Sequence, residues 1–155
     1  MRNVTAIIVS YKNEIMTCRY VNNELNKCQE VEHIIIVNNA ATNESNEILH
    51  NNIIDSEISY DDYSYNGSKV VILSNNLNQG FAKGNNKGAL YARKYWDPQY
   101  LLFTNDDIII NNDNVIKEMV DGCRKAVASG KDAGKITGKK HSMYVFSSLF
   151  HSFKE

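Results

Sequence analysis

The amino-acid sequence predicts an α/β fold, a mainly parallel sheet flanked by helices, and three observations predict it. Short β-branched or aromatic runs at residues 4–10, 33–37, 69–73 and 100–103 alternate with stretches whose apolar residues recur at three- and four-residue steps. The polar positions Ser10, Asn38, Asn78 and Asp106 all fall at or just beyond the carboxyl ends of those runs. At 155 residues the chain suits one domain, able to bury on the order of 70% of its unfolded surface. Strands separated by helices imply right-handed crossovers, and in such sheets ligands collect beyond the strands' carboxyl ends.

The elements follow in order. After the first strand, Ile15, Cys18, Val21, Leu25 and Cys28 mark one apolar face of a helix over about residues 14–28, which should lie on the sheet. The second strand leads into a short helix near residues 43–50. Residues 51–68 are acidic, aromatic and rich in turn formers, and they read as an exposed insertion. The third strand is followed by a helix near residues 81–94. Gly84, Gly88 and Ala92 give that helix a small face for close packing, and Gly80 can take a backbone angle that other residues resist. Phe81 is assigned to packing. Asp97-Pro98 breaks the helix before the fourth strand. From Asn112 or Asp113 as a cap, Val115, Ile116, Met119, Val120, Cys123 and Val127 mark a last amphipathic helix. One domain therefore covers residues 1–127. Residues 128–155 read as a flexible or atypical tail, basic at 130–140 and then apolar without a clear period.

Charge narrows the function. Lys and Arg number 17 against 18 Asp and Glu, a formal net charge of -1, so no broad basic field marks a nucleic-acid binder. A phosphate ligand would need local help from helix N-termini, backbone amides or a metal. Cys18, Cys28 and Cys123 lack paired ligand spacing, which argues against a disulfide framework or a zinc site and for reduced core thiols. His33, His50, His141 and His151 show no metal-like spacing. No apolar run approaches the ~20 residues needed to span a bilayer. The start of the chain lacks the pattern of a signal peptide, so a cytoplasmic protein is expected, with any membrane contact peripheral at the inner face.

Two segments carry the chemistry. The string Asn78-Gln-Gly80-Phe-Ala-Lys83-Gly84-Asn85-Asn86-Lys-Gly88 falls where a chain leaves a strand and winds into a helix. Its backbone amides can face a diphosphate, and its asparagines can hydrogen-bond a polar ligand. Thr104-Asn105-Asp106-Asp107 ends a strand with adjacent carboxylates, which suits a hard divalent cation. Asp106 is the preferred metal position and Asp107 the second, because the register is open by one residue.

With these segments in place, residues 3–120 resemble the family 2 glycosyltransferases of the GT-A fold, in particular the rhamnosyltransferase-like branch. Residues 4–13, Val-Thr-Ala-Ile-Ile-Val-Ser-Tyr-Lys-Asn, are similar to that family's first strand and nucleotide-binding loop. Residues 33–43 are similar to its second strand and base-binding turn, normally Val-Asp-Asn-x-Ser-x-Asp. Here the carboxylate positions read Asn38 and Asn43, and the serine reads Ala41. The resemblance implies a Rossmann-like nucleotide-sugar-binding half, a UDP- or dTDP-sugar donor, Mg²⁺ or Mn²⁺, and a glycan or lipid-linked acceptor. It implies inverting hexosyl or deoxyhexosyl transfer in cell-surface polysaccharide biosynthesis. Carried over position by position, Ser10, Tyr11 and Asn13 line the base and ribose, and Asn38 pairs with the base. Asn78, Gly80, Gly84, Asn85 and Asn86 face the diphosphate or sugar, and Asn105 precedes the metal carboxylates Asp106 and Asp107.

Inverting transfer also needs a general base, which the resemblance places in a Glu-Asp-like segment downstream. After Asp121 the only acids are Asp132 and Glu155, and neither lies in such a segment. The catalytic base therefore stays unassigned. An incomplete acceptor site is expected, from a truncated product or with a second chain supplying the remainder. Two other readings stay open. One is a non-catalytic nucleotide-sugar-binding remnant. The other is a nucleotidyltransferase, although the Gly-rich loop with Lys and Arg expected after its first strand is missing.

Overall fold

The computed structural model describes residues 3–112, 114–129, 135–137 and 143–147. Five parallel strands form the body of the sheet: β1 (Val4–Tyr11), β2 (Val31–Asn39), β3 (Ser56–Ser59), β4 (Val70–Asn75) and β5 (Tyr100–Thr104). Two further strands, β6 (Lys135–Thr137) and β7 (Met143–Ser147), extend it antiparallel beyond β5, giving the order β3-β4-β2-β1-β5-β7-β6. The helices are α1 (Glu14–Arg19), α2 (Asn43–Asn52), α3 (Gly80–Tyr95) and α4 (Val115–Ala128).

Two-residue alternation sorts the strands' side chains into two cores. Ala6, Ile8, Ile34, Ile36, Ile72 and Leu102 pack with Cys18, Val21, Leu25 and Leu49 and with Ile116 and Met119 of α4. Ile7, Ile35, Val37, Leu73 and Phe103 face Ala89, Tyr91 and Ala92 of α3 on the other side. Both faces are covered, and that explains the unbroken apolar runs of β1, β2 and β4.

Three places differ from the sequence reading. The first helix is not one uniform α-helix: α1 continues as a π-helical turn, Tyr20–Glu24, and a 3₁₀ turn, Leu25–Lys27. Cys18, Val21, Leu25 and Cys28 are buried as expected, whereas Ile15 is 69% exposed. Thr17 and Cys18 set the inward face, and at about 100° per residue Ile15 lies roughly a third of a turn off it. Within 51–68, residues Ser56–Ser59 form an edge strand on β4, with Ile58 opposite Ile72. The Glu57 carboxylate pins the following loop by accepting the N–H groups of Asn66 (2.7 Å) and Ser68 (3.1 Å). A short polar strand with one apolar residue suits a sheet edge. In the tail, Met143–Ser147 pairs with β5, a partner some forty residues earlier in the chain that no local periodicity announces. The rest of 128–155 beyond Ser129 and these two strands lies outside the described residues, as does Asp113. The Asn112 carboxamide oxygen accepts the Asn114 N–H (2.9 Å) just ahead of α4.

Gly84 and Gly88 set the height of α3 over the sheet. A Cβ at Gly84 would lie 2.9 Å from Val9 Cγ2, and one at Gly88 would lie 2.6 Å from Ile7 Cγ2. This close approach brings the first turn of α3 to the ends of β1 and β2.

Candidate functional site

Because β1, β2, β4 and β5 run parallel, the segments that follow them gather along one edge of the sheet. Two of these exits are strained. Lys12 after β1 and Ala40 after β2 hold φ of 52° and 53°, a left-handed conformation that costs a non-glycine residue roughly 1–2 kcal/mol. Gly80, at φ 82°, makes the same kind of turn into α3 without that cost.

Asp106 sits on the turn after β5, partly exposed. Its Oδ2 accepts hydrogen bonds from Asn13 Nδ2 (3.1 Å) and Thr17 Oγ1 (2.8 Å), groups 93 and 89 residues away. Thr17 is fully buried and lies 2.9 Å from the hydroxyl of Ser10, also buried. Thus Ser10 and Asn13, expected to line the base and ribose, are engaged with the carboxylate and its support. Nearby, the buried Tyr20 and Thr104 hydroxyls are 2.5 Å apart. Burial pushes the Tyr20 hydroxyl's pKa well up, outweighing the opposing effect of the Thr104 bond, so the phenol stays neutral. Asp107 is exposed, and Asn105 is partly exposed. Among the described residues no three His, Cys, Asp or Glu side chains cluster to hold a metal. A cation here would take Asp106 as its protein ligand and fill its shell with substrate oxygens and water, as Mg²⁺ commonly does.

Asn38 is 1% exposed and belongs to a buried ladder. Its Nδ2 donates to Ser45 Oγ (3.0 Å) and Asn46 Oδ1 (2.9 Å), and Asn46 Nδ2 donates to Ser74 Oγ (2.9 Å). The orientation follows from Thr42, whose N–H donates to Ser45 Oγ (2.9 Å) while the Ser45 hydroxyl donates to the Thr42 carbonyl (3.1 Å). Ser45 therefore offers Asn38 only a lone pair. The amide nitrogen must face inward, and the Asn38 carbonyl oxygen is the atom left over.

Asn39, on the opposite face of β2, ties three elements together. Its Oδ1 accepts from Asn75 Nδ2 (2.9 Å), and its Nδ2 donates to Asn78 Oδ1 (3.4 Å) and the Gly80 carbonyl (3.3 Å). Asn78 Oδ1 also accepts the Gly80 N–H (3.0 Å), shaping the entry to α3. Gly84 is buried against Val9 rather than lining an opening. Asn85 is buried with Oδ1 unpartnered, whereas Asn86 is partly exposed. Tyr11 is 46% exposed, with Lys12 Nζ 5.4 Å from its ring centroid. Phe81, assigned to packing, is instead 53% exposed on the first turn of α3.

Sequence reasoning passed over Thr17, Asn39, Ser45, Asn46 and Asn75. Thr17 had a readable signal, as a polar residue four positions after Asn13 on the helix's inward face. For the others the signal is pairing: β2 and β4 align Asn38 with Ser74 and Asn39 with Asn75, which shows only in the folded sheet.

The motif order, the strand-end geometry and the pinned carboxylate agree with a direct match. The model of glycosyl transferase family 2 covers residues 5–134. The chain belongs to that family. No curated protein matches it in sequence. Among solved structures, this family 2 chain is similar to a mannosyltransferase from Pyrobaculum calidifontis in complex with GDP-Man and Mn²⁺. That match has a TM-score of 0.62 and 12% identity, covering 95% of this chain and 45% of that one. It is also similar to a 4-diphosphocytidyl-2C-methyl-D-erythritol synthase, with a TM-score of 0.62 and 9% identity over 96% of this chain and 76% of that one. A third is the glucosyl-3-phosphoglycerate synthase from Mycobacterium tuberculosis in complex with Mn²⁺, UDP and glucosyl-3-phosphoglycerate, with a TM-score of 0.50 and 9% identity, covering 96% and 57%. These likenesses support the α/β fold, and the chain spans less than half the length of the mannosyltransferase. At this identity they show the fold and do not separate sugar transfer from nucleotidyl transfer. The connection after β1 is short, with α1 starting three residues beyond Tyr11. Among the described residues no helix is long and apolar enough to cross a membrane.

Proposed function

We propose that this chain is the donor-binding part of a glycosyltransferase that holds a UDP- or dTDP-linked sugar with Mg²⁺ or Mn²⁺ at Asp106. The observation that carries the reading is Asp106 itself, fixed through one carboxylate oxygen at the end of β5 in a family 2 chain. When bound, the cation stabilises the charge that develops on the departing diphosphate. Tyr11 packs on the base, and the leftover Asn38 oxygen accepts an imide N–H such as N3–H of uracil or thymine. With Asn38 so deeply buried, only the edge of that oxygen meets the ligand. Asn86, Asn105 and the backbone entering α3 at Asn78 and Gly80 face the diphosphate and sugar.

In the transfer itself an acceptor hydroxyl attacks the anomeric carbon with inversion, the bond to the diphosphate oxygen breaks, and a base takes the hydroxyl proton. That base stays unassigned, and in this reading a second chain can supply it. The acceptor is a glycan or lipid-linked acceptor in cell-surface polysaccharide synthesis, met at the cytoplasmic face, and the donor sugar is a hexose or deoxyhexose.

Calorimetry with UDP, dTDP and GDP, in Mn²⁺ and in excess chelator, tests the reading. Binding is expected to be cation-dependent and to favour the pyrimidines. Asp106→Ala should abolish the cation-dependent part with the fold intact, since a side chain at the strand ends contributes little to the core. Asp107→Ala should do less. Equal affinity in chelator would refute the cation assignment, and a preference for GDP would refute the base assignment.

A further inference from the structure

We infer that Thr17 is a positioning residue, and that a hydroxyl relay from Ser10 through Thr17 to Asp106 Oδ2 fixes the carboxylate so that Oδ1 faces the cation. This rests on the reading that Asp106 meets the cation and adds what holds it ready. The Thr17 hydroxyl has one proton and three oxygen neighbours: the Asn13 carbonyl at 3.0 Å, Ser10 Oγ at 2.9 Å and Asp106 Oδ2 at 2.8 Å. The proton goes to the carboxylate, because a charge-assisted bond is roughly twice as strong as a neutral one and this contact is the shortest of the three. Thr17 Oγ1 then has lone pairs to offer Ser10, whose hydroxyl donates to it. The direction of both protons is thus set by the charge at the end of the chain.

Both Asp106 donors, Thr17 and Asn13, address the same oxygen. One oxygen is consumed by the protein and the other is left for a partner from outside. Thr17 and Ser10 are both fully buried, so water cannot replace a lost hydroxyl there. The carboxylate would otherwise sample its rotamers on a partly exposed turn, and a cation held by a single protein ligand depends on that ligand's aim. A merely structural threonine would bridge β1 and β5 without regard to which carboxylate oxygen it met.

The experiment compares the wild type with Thr17→Val, which keeps the shape and removes the hydroxyl, and with Thr17→Ser, which restores it. Binding of UDP, dTDP and GDP is measured by calorimetry in Mn²⁺ and in chelator, with thermal unfolding as the check on folding. Thr17→Val is expected to weaken Mn²⁺-dependent nucleotide binding about tenfold, the loss of one hydrogen bond to a charged group. Chelator affinity should hold, and Thr17→Ser should return to within about threefold of wild type. Cation-dependent binding unchanged in folded Thr17→Val, or lost equally in Thr17→Ser, would overturn the inference. If Thr17→Val does not fold, Ser10→Ala replaces it. It leaves the Thr17 donor but removes the relay's first member, and a drop of about threefold is expected. An unchanged affinity there would overturn the relay. Asp106→Ala separates this inference from the reading beneath it. If that variant retains cation-dependent binding, or the wild type shows none, the cation assignment falls and the relay with it. If Asp106→Ala loses it and Thr17→Val does not, only the relay falls.

Discussion

Replacing Asn38 by aspartate introduces the carboxylate that the resemblance to family 2 expects at this position, and the structure makes it the wrong residue for this chain. The Asn38 amide donates two buried hydrogen bonds, to Ser45 and Asn46, and a carboxylate donates none. Each lost bond is worth about 1 kcal/mol. Part of that loss is recoverable. The Asn46 amide can turn over to present its nitrogen, and the Ser74 hydroxyl can rotate to donate to the Asn46 oxygen that replaces it. Ser45 has no such freedom, because donating to the new carboxylate means giving up its bond to the Thr42 carbonyl. The net hydrogen-bond loss is therefore about 1 kcal/mol, and placing a charge in this buried ladder adds roughly 1–3 kcal/mol. Urea unfolding at pH 7 should show Asn38→Asp destabilised by about 2–4 kcal/mol. The sign of its pH dependence follows. The folded state disfavours the charged form, which raises the new carboxyl's folded pKa above its unfolded one. The penalty is then greatest above the folded pKa and shrinks as pH falls toward the unfolded one, where the acid form supplies a donor again. An aspartate variant as stable as wild type at pH 7 would refute the proposed proton directions in the ladder.

Gly88→Ala should destabilise the fold by about 1 kcal/mol in the same assay. Helix propensity gains about 1 kcal/mol, but a Cβ at 2.6 Å from Ile7 Cγ2 meets a central strand with no room to retreat, an overpacking cost of roughly 1–3 kcal/mol. A gain in stability would show that α3 can lift off the sheet freely. His33 stacks on Trp96 with ring centroids 4.1 Å apart, and burial, opposed in part by Glu32 and helped by Lys69, lowers its pKa. A folded pKa below the unfolded value of about 6.5 makes its contribution complete above that pH and lost as pH falls below it. Urea midpoints between pH 5 and 8 should therefore decline on the acid side in the wild type and decline less in His33→Gln. Equal slopes in the two proteins would remove His33 from the account.

The sequence by itself determined the α/β class, the four central strands and the helices between them, because two-residue and near four-residue periodicities are written in neighbouring positions. It also placed the carboxylates at the end of β5 and the glycines against β1, since turn chemistry and small-residue spacing are local signals too. Only the tertiary structure decided the partners. Ser56–Ser59 and Met143–Ser147 became strands because β4 and β5 had open edges for them, and Ile15 turned outward because Thr17 took the inward face to reach Asp106. It likewise tied Ser10 and Asn13 to the Asp106 carboxylate and its support, and the Asn38 amide nitrogen to Ser45 and Asn46. The contacts of Asn13 and Thr17 with Asp106 and of Asn46 with Ser74 span dozens of residues, and that pairing is set when β1, β2, β4 and β5 align, through distances no stretch of sequence contains.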